Sequence, residues 1–142
     1  MQLDKYRAFT ATLTASLARD QRIVGLVARG SMADVDYPPD QWSDHDFFVV
    51  TEPGAQEAFR TDLSWLPDNQ RIVFWFRENM HALRAVYDTG HILEPVVFDE
   101  AELAQASANR YRVLIDRGQV TSRMAEVAAR TVVQAADALG GD

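Results

Sequence analysis

Residues 28–50 read ARGSMADVDYPPDQWSDHDFFVV, and they hold two features from which the rest of the chain can be interpreted. The first is a Gly30-Ser31 turn directly behind the apolar run IVGLVA. The second is the triplet Asp44-His45-Asp46 at the head of another apolar run, FFVV. On a strand, residues two apart leave the same face, so Asp44 and Asp46 point together while His45 points away. Adjacent carboxylates repel unless something positive lies between them. Magnesium takes hard oxygen ligands and commonly shares its shell with substrate phosphates. Gly30 allows a tight backbone turn, and Ser31 adds a hydroxyl and an amide that can face phosphate oxygens. Arg29 lies beside them, but strand alternation turns it away from Ser31 and leaves it without a role.

Working outward, residues 4–18 predict a helix, with Tyr6, Phe9, Leu13 and Leu17 on one apolar face. Residues 22–28 predict a strand, and the twelve residues between Ser31 and Asp44, with Pro38 and Pro39, a short helical turn and a surface loop. Residues 44–51 are rich in Phe and Val and predict a second strand. A helix is expected over residues 56–60 and a third strand over 72–76, where Phe74, Trp75 and Phe76 read as core and sheet-face residues. Residues 84–87 and 92–98 flank Asp88-Thr89-Gly90 as a hairpin. Pro95 in the second arm predicts an edge position or a bulge. A short helix is expected over 100–108, and residues 112–115 form a last strand or a connector. From Thr121 a helix carries Met124, Val127, Ala128, Val132, Ala135 and Leu139 as its buried stripe.

The expected class is α+β: a small mixed sheet of four or five strands with helices packed mainly on one face. Nothing divides residues 1–142 by linker, repeat or low complexity, which predicts a single domain with its core motifs over 20–99 and its C-terminal helix over about 121–139.

A third carboxylate on a neighbouring strand would complete a two-metal clamp for in-line displacement at phosphorus. Glu94, in HILEPVVFDE, is an acid among Ile, Leu, Pro, Val and Phe, where burial without a partner is unfavourable. Asp99 is the rival, but beside Glu100 at a strand end it is better explained as a helix cap. His45, His81 and His91 lack metal-ligand spacing and read as structural or surface residues. Trp42 is either a stacking surface for a base or substrate, or an anchor for its loop.

Composition narrows the partners. With 21 acidic against 14 basic residues the net charge is −7, and Lys5 is the one lysine, so the chain lacks the basic footprint of a nucleic-acid-backbone binder. A nucleotide carrying its own metal ions remains compatible with that charge. The absence of cysteine excludes disulfides and thiolate chemistry and fits a cytoplasmic setting. No signal-peptide core and no membrane-spanning apolar run is present.

Gly30-Ser31, twelve intervening residues and Asp44-His45-Asp46 together resemble the nucleotidyltransferase superfamily. WSDHDFFVV is most similar in flavour to the aminoglycoside and lincosamide nucleotidyltransferases and their small bacterial relatives. The resemblance covers residues 20–99. It implies that Asp44 and Asp46 hold magnesium, two ions in all, and that Gly30 and Ser31 hold the β- and γ-phosphates of ATP. Glu94 takes the third acid's part, as metal ligand or base. The implied reaction moves AMP from ATP to an acceptor hydroxyl and releases pyrophosphate. Antibiotic-modifying members carry a further helical domain as the acceptor wall. Here only the helix from Thr121 answers to it, so the expected partners are a homodimer mate, or a protein acceptor in place of a small molecule. Small members also occur as antitoxins paired with helical toxins, which gives the alternative of a regulatory interaction protein that adenylylates its partner or has no catalysis.

Overall fold

The computed structural model describes residues 1–140, with side chains through residue 138. Six strands, β1 (Ile23–Arg29), β2 (His45–Thr51), β3 (Ile72–Arg77), β4 (Leu83–Tyr87), β5 (Ile92–Asp99) and β6 (Tyr111–Asp116), form one sheet in the order β3-β4-β5-β2-β1-β6. Every neighbouring pair is antiparallel except β2–β5, which runs parallel. The helices are α1 (Leu3–Ala18), α2 (Gln56–Thr61) and α3 (Val120–Gly140).

Strand alternation sorts the core into two layers. Leu26, Ala28, Phe47, Val49, Leu93 and Val97 turn to one face, where Tyr6, Leu13 and Leu17 of α1 and Phe59 of α2 cover them. Val27, Phe48, Val50 and Phe98 turn to the other, against Val120, Met124 and Val127 of α3 and Leu103 of a 3-10 turn. Full burial of each such side chain contributes about 1.5–3 kcal/mol. The fold is thus mixed α+β, with α1 and α2 as the helical layer of one face. On the other face α3 starts hard against β1: a Cβ at Gly25 would lie 2.6 Å from Val120 Cγ2 and 3.1 Å from the Ile115 carbonyl oxygen. At the other end of that face Arg29, Asp46 and Glu94 are half-buried.

Several elements differ from expectation. Residues 111–116 are a full edge strand, β6, because Val113, Leu114 and Ile115 pack on the core. The segment after β5 is a 3-10 turn, Ala101–Gln105, instead of a helix to residue 108. Pro95 lies on a central strand. Its missing N–H would have pointed toward β4, where Leu83 stands opposite, so the β2–β5 ladder is untouched while the β4–β5 ladder is interrupted. Ala82 pairs with Val96 beyond the gap in the same register, so there is no bulge. The stripe of α3 is buried at Met124 and Val127 and half-buried at Ala128, but Val132 and Ala135 are exposed because the helix outruns the sheet there. The Leu139 side chain lies outside the described residues. Finally, β3 is the second edge strand, and Phe74, Trp75 and Phe76 are exposed instead of belonging to the core.

Candidate functional site

β1 ends at Arg29, and Gly30 reverses the chain with φ of 57°, a left-handed conformation that suits glycine. Its N–H donates to the Arg110 carbonyl at 3.0 Å. The turn Gly30–Ala33 is one 3-10 helix, closed by Asp34, also left-handed. A Cβ on Gly30 would lie 3.9 Å from Asp46 Oδ2, so the Gly-Ser turn sits directly beside that carboxylate.

The pairing registers carry the rest. Asp46 stands opposite Arg29 on β1 and beside Glu94 on β5. Glu94 in turn forms an ion pair with Arg84 of β4, and Arg84 also holds Glu78 at 2.9 Å. Arg84 pairs in register with Phe76, and Arg29 with Tyr111. One row therefore crosses all six strands on the face that α3 packs against: Phe76, Arg84, Glu94, Asp46, Arg29, Tyr111. Two carboxylates lie at its centre, with an arginine on each side. Asp44 stands one step outward from Asp46 at the mouth of β2, and the Tyr6 hydroxyl donates to its carbonyl at 2.6 Å.

The electrostatics follow from this crowding. Burial first, then the neighbouring Glu94 by hydrogen bond and charge, push the Asp46 carboxyl well above the usual range, while Arg29 opposes the shift. Asp44 is raised as well, by burial and by Glu94, with Arg84 opposing. Asp46 Oδ1 is buried and has no N–H or hydroxyl donor. The Glu94 carboxyl can satisfy Asp46 only when the pair holds a proton. Burial lowers the pKa of Arg29, whose guanidinium stacks 4.4 Å from the Phe48 ring centroid and whose Nε has no partner.

Behind the triplet, the His45 ring is fully buried. It stacks on Tyr6 with ring centroids 3.8 Å apart, and its Nε2 lies 2.9 Å from Thr10 Oγ1. His45 Nδ1 is 2.7 Å from His91 Nε2. Burial, with the charge of His91, lowers His45 to about 3, and burial with the N-terminal charge lowers His91 to about 4. Both rings are neutral at pH 7 and brace the backbone between the two aspartates. His81 lies elsewhere, against Arg60 and Glu102. A cavity of about 420 Å³ opens beside Asp44, lined among others by Lys5, Trp42, Ser43, Thr89 and Gly90. Trp42 is 81% exposed at its rim, so its side chain does not anchor the loop.

The structure thus sets Gly30 and Glu94 beside Asp46, with Asp44 one step outward and Ser31 in the turn that follows Gly30. Asp99 is set apart: its Oδ1 accepts from the Glu102 N–H at 2.8 Å, and Glu102 Oε1 accepts from its own N–H at 3.0 Å, a reciprocal cap. Among the described residues, no three Asp, Glu or His side chains converge in the arrangement of a metal site. Glu94 is engaged by Arg84, which draws its carboxylate toward β4. Arg84 escaped notice in the linear sequence, although a hairpin centred on Asp88-Thr89-Gly90 already places it opposite Glu94. Arg29, adjacent to the Gly-Ser turn in the sequence, finds its place only through β1–β2 pairing, which no local pattern shows.

No protein-family model matches the sequence, and a comparison with curated proteins finds no match. Among solved structures, the chain is similar to the crystal structure of an aminoglycoside 6-adenyltransferase from Bacillus subtilis, with 14% identity and a TM-score of 0.52. The likeness covers 75% of this chain and 39% of that one, so the chain spans about two fifths of that structure's length. At that identity the likeness concerns the fold alone.

Proposed function

We propose that this chain binds a nucleoside triphosphate, ATP, as its magnesium complex and transfers the nucleotidyl group to an acceptor hydroxyl, releasing pyrophosphate. The observation that supports this reading most is the adjacency of Asp46 and Glu94 on the parallel β2–β5 pair, with the left-handed Gly30 turn alongside. The donor set suits magnesium: hard carboxylate oxygens, one of them buried and lacking a protein donor. Asp44, Asp46 and Glu94 would hold the metal ions, which when bound neutralise phosphate charge and polarise the reacting phosphorus.

The chain's own residues have separate tasks in this scheme. The Gly30-Ser31 backbone and the Ser31 hydroxyl orient the leaving pyrophosphate at the start of the 3-10 turn. The stack of Arg29 on Phe48 keeps a positive charge on the flank of Asp46 and favours its ionised form. Glu94 would hold the metal nearest the acceptor, or take the acceptor's proton, once it parts from Arg84. The cavity between Trp42 and Gly90 opens at Asp44 and is large enough for part of a small ligand. Positioning and charge neutralisation would supply most of the rate.

The direct test is calorimetric titration of the protein with ATP in magnesium, followed by an assay of pyrophosphate release with small hydroxyl acceptors. Micromolar to millimolar binding that is lost in Asp46→Asn supports the proposal. No ATP binding by the wild-type chain, or unaltered binding and release in Asp46→Asn, overturns it.

A second reading is favoured by a different observation. Val132 and Val133 on the outrunning part of α3 are 63% and 58% exposed, an apolar surface suited to a helical partner. On that reading the fold serves as an antitoxin-like or regulatory module, with the partner either adenylylated or simply bound. A stable complex formed equally well by Asp46→Asn and wild type would favour it.

A further inference from the structure

The two edges of the sheet are built differently. β6 carries Arg112 and Asp116, and its apolar residues pack on the core, the usual protection of an edge. β3 has no charged residue from Ile72 to Phe76 and shows large apolar side chains on both faces: Phe74 and Phe76 on one, Trp75 on the other. Phe74 is 58% exposed, Trp75 40% and Phe76 39%; Val73 and Met80 beside them are exposed as well. A small ligand would cover one face only. A strand added at the edge covers both and also satisfies the free backbone.

The backbone says which residues offer that free edge. Glu78 donates its N–H to the Ala82 carbonyl of the β4 side at 2.9 Å, so by alternation residues 74, 76 and 78 bond inward while Trp75 and Arg77 present N–H and C=O outward. We propose that β3 pairs antiparallel with β3 of a second copy of this chain about a two-fold axis at Trp75. Trp75 then exchanges both backbone hydrogen bonds with the partner's Trp75, and each Phe74 faces the partner's Phe76 on one side of the sheet. In this register Arg77 falls opposite Val73; moving the axis to Phe74 would set Arg71 against Arg77, a like-charge pair. Aromatic side chains offer about 150–250 Å² each, so the exposed parts of these five residues come to roughly 500 Å² per copy. Two copies reach about 1,000 Å², the lower end of the range for a specific interface. The axis keeps both acidic rows on the same face and seats the partner's Phe74 next to Phe76 and Arg84. Each copy would thereby add an aromatic side chain to the rim of the other's candidate site.

Sedimentation equilibrium of the wild-type chain tests the association, with a mass twice the 16.0 kDa of one copy expected at tens of micromolar. Trp75→Lys and Trp75→Glu should each sediment as monomers with unchanged far-UV circular dichroism, and their equimolar mixture should recover the doubled mass. Because the chain has no cysteine, a single Trp75→Cys change adds an independent readout that does not depend on how the charged variants fold. On mild oxidation it should give a disulfide dimer, since paired Cα atoms lie within bridging distance, while Val133→Cys should not. A wild-type monomer throughout the concentration range overturns the proposal. So does a dimer unaffected by both charges, a mixture that stays monomeric, or equal crosslinking at both positions.

Discussion

Asp46 and Glu94 lie side by side on the one parallel strand pair of the sheet, close enough to hydrogen-bond, and that closeness governs how the site responds to protons and cations. Two carboxylates in such contact share a proton or recruit a positive charge. Arg84 and Arg29 lie within reach on either side.

Replacing Asp46 by Asn removes a buried charge that the fold tolerates only with help. The variant is expected to be at least as stable as wild type while losing at least a hundredfold in ATP-dependent pyrophosphate release. Thermal melts and the release assay check the two halves, and a large loss of stability would contradict the account of Asp46 given above.

The pH dependence has a definite sign. The folded Asp46 carboxyl titrates above its unfolded value of about 3.9, so between those two values the native state binds more protons than the unfolded one. Without divalent cations, stability contributed by this group should fall as pH rises through that window. Asp46→Asn should flatten the slope, and magnesium should restore stability at the upper end. Melting temperatures across pH 4–8, with and without the ion, measure it.

His45 and His91 work in the opposite direction. Their folded pKa values, about 3 and about 4, lie below the unfolded value near 6.5. The unfolded chain takes up protons first, so stability should be lost as pH drops from about 6.5 toward 4. His91→Gln should lessen this slope and leave the opposing contribution of Asp46, which spans much of the same pH range, in place, as seen by urea titration of the single variants and of the Asp46→Asn, His91→Gln double variant.

Arg84 competes with any cation for Glu94. Arg84→Met should therefore bind manganese more tightly than wild type, by a factor of about 2–5, the scale of one partly exposed ion pair. Nucleotide-independent manganese binding, followed by electron paramagnetic resonance, gives the number, and weaker binding would refute the competition.

Gly25→Ala tests how α3 is seated. The added methyl would lie 2.6 Å from Val120 Cγ2 and 3.1 Å from the Ile115 carbonyl oxygen, so Val120 must move. Overpacking of this kind costs about 1–3 kcal/mol. Denaturant unfolding should show that loss, with ATP binding retained because the change lies at the far end of β1.

Much of this arrangement was legible in the sequence because it depends on short-range patterns. Alternation places Asp44 and Asp46 on one face, and the Asp88-Thr89-Gly90 turn fixes the hairpin. Glu94 stands out in the sequence as an acid in an apolar strand, and in the sheet it lies beside Asp46. Pairing between distant strands was not legible. Arg29 meets Asp46 only because β1 and β2 are antiparallel, and the exposure of β3 follows from the sheet order, which sends an apolar run to an edge. Pro95 shows the same limit. Its lost donor spares the β2–β5 ladder and interrupts only β4–β5 because of the side it faces, and a linear pattern does not say which side that is.

Pro95 also divides the sheet dynamically. Opposite Leu83, where an antiparallel ladder would exchange two bonds, one donor is missing, and the break lies one residue from Arg84 and Glu94. The β3–β4 ribbon is thus joined to the remaining four strands through Ala85–Leu93 and Val86–Ile92 on one side of the break and Ala82–Val96 on the other. Amide protons in β2 and the β2-facing side of β5 should exchange with deuterium only on global unfolding, whereas those of β3 and β4 should exchange sooner, as a separate cooperative unit. A cation that draws Glu94 away from Arg84 would loosen that seam further, so loading the acidic row should speed exchange in the ribbon while slowing it in β2.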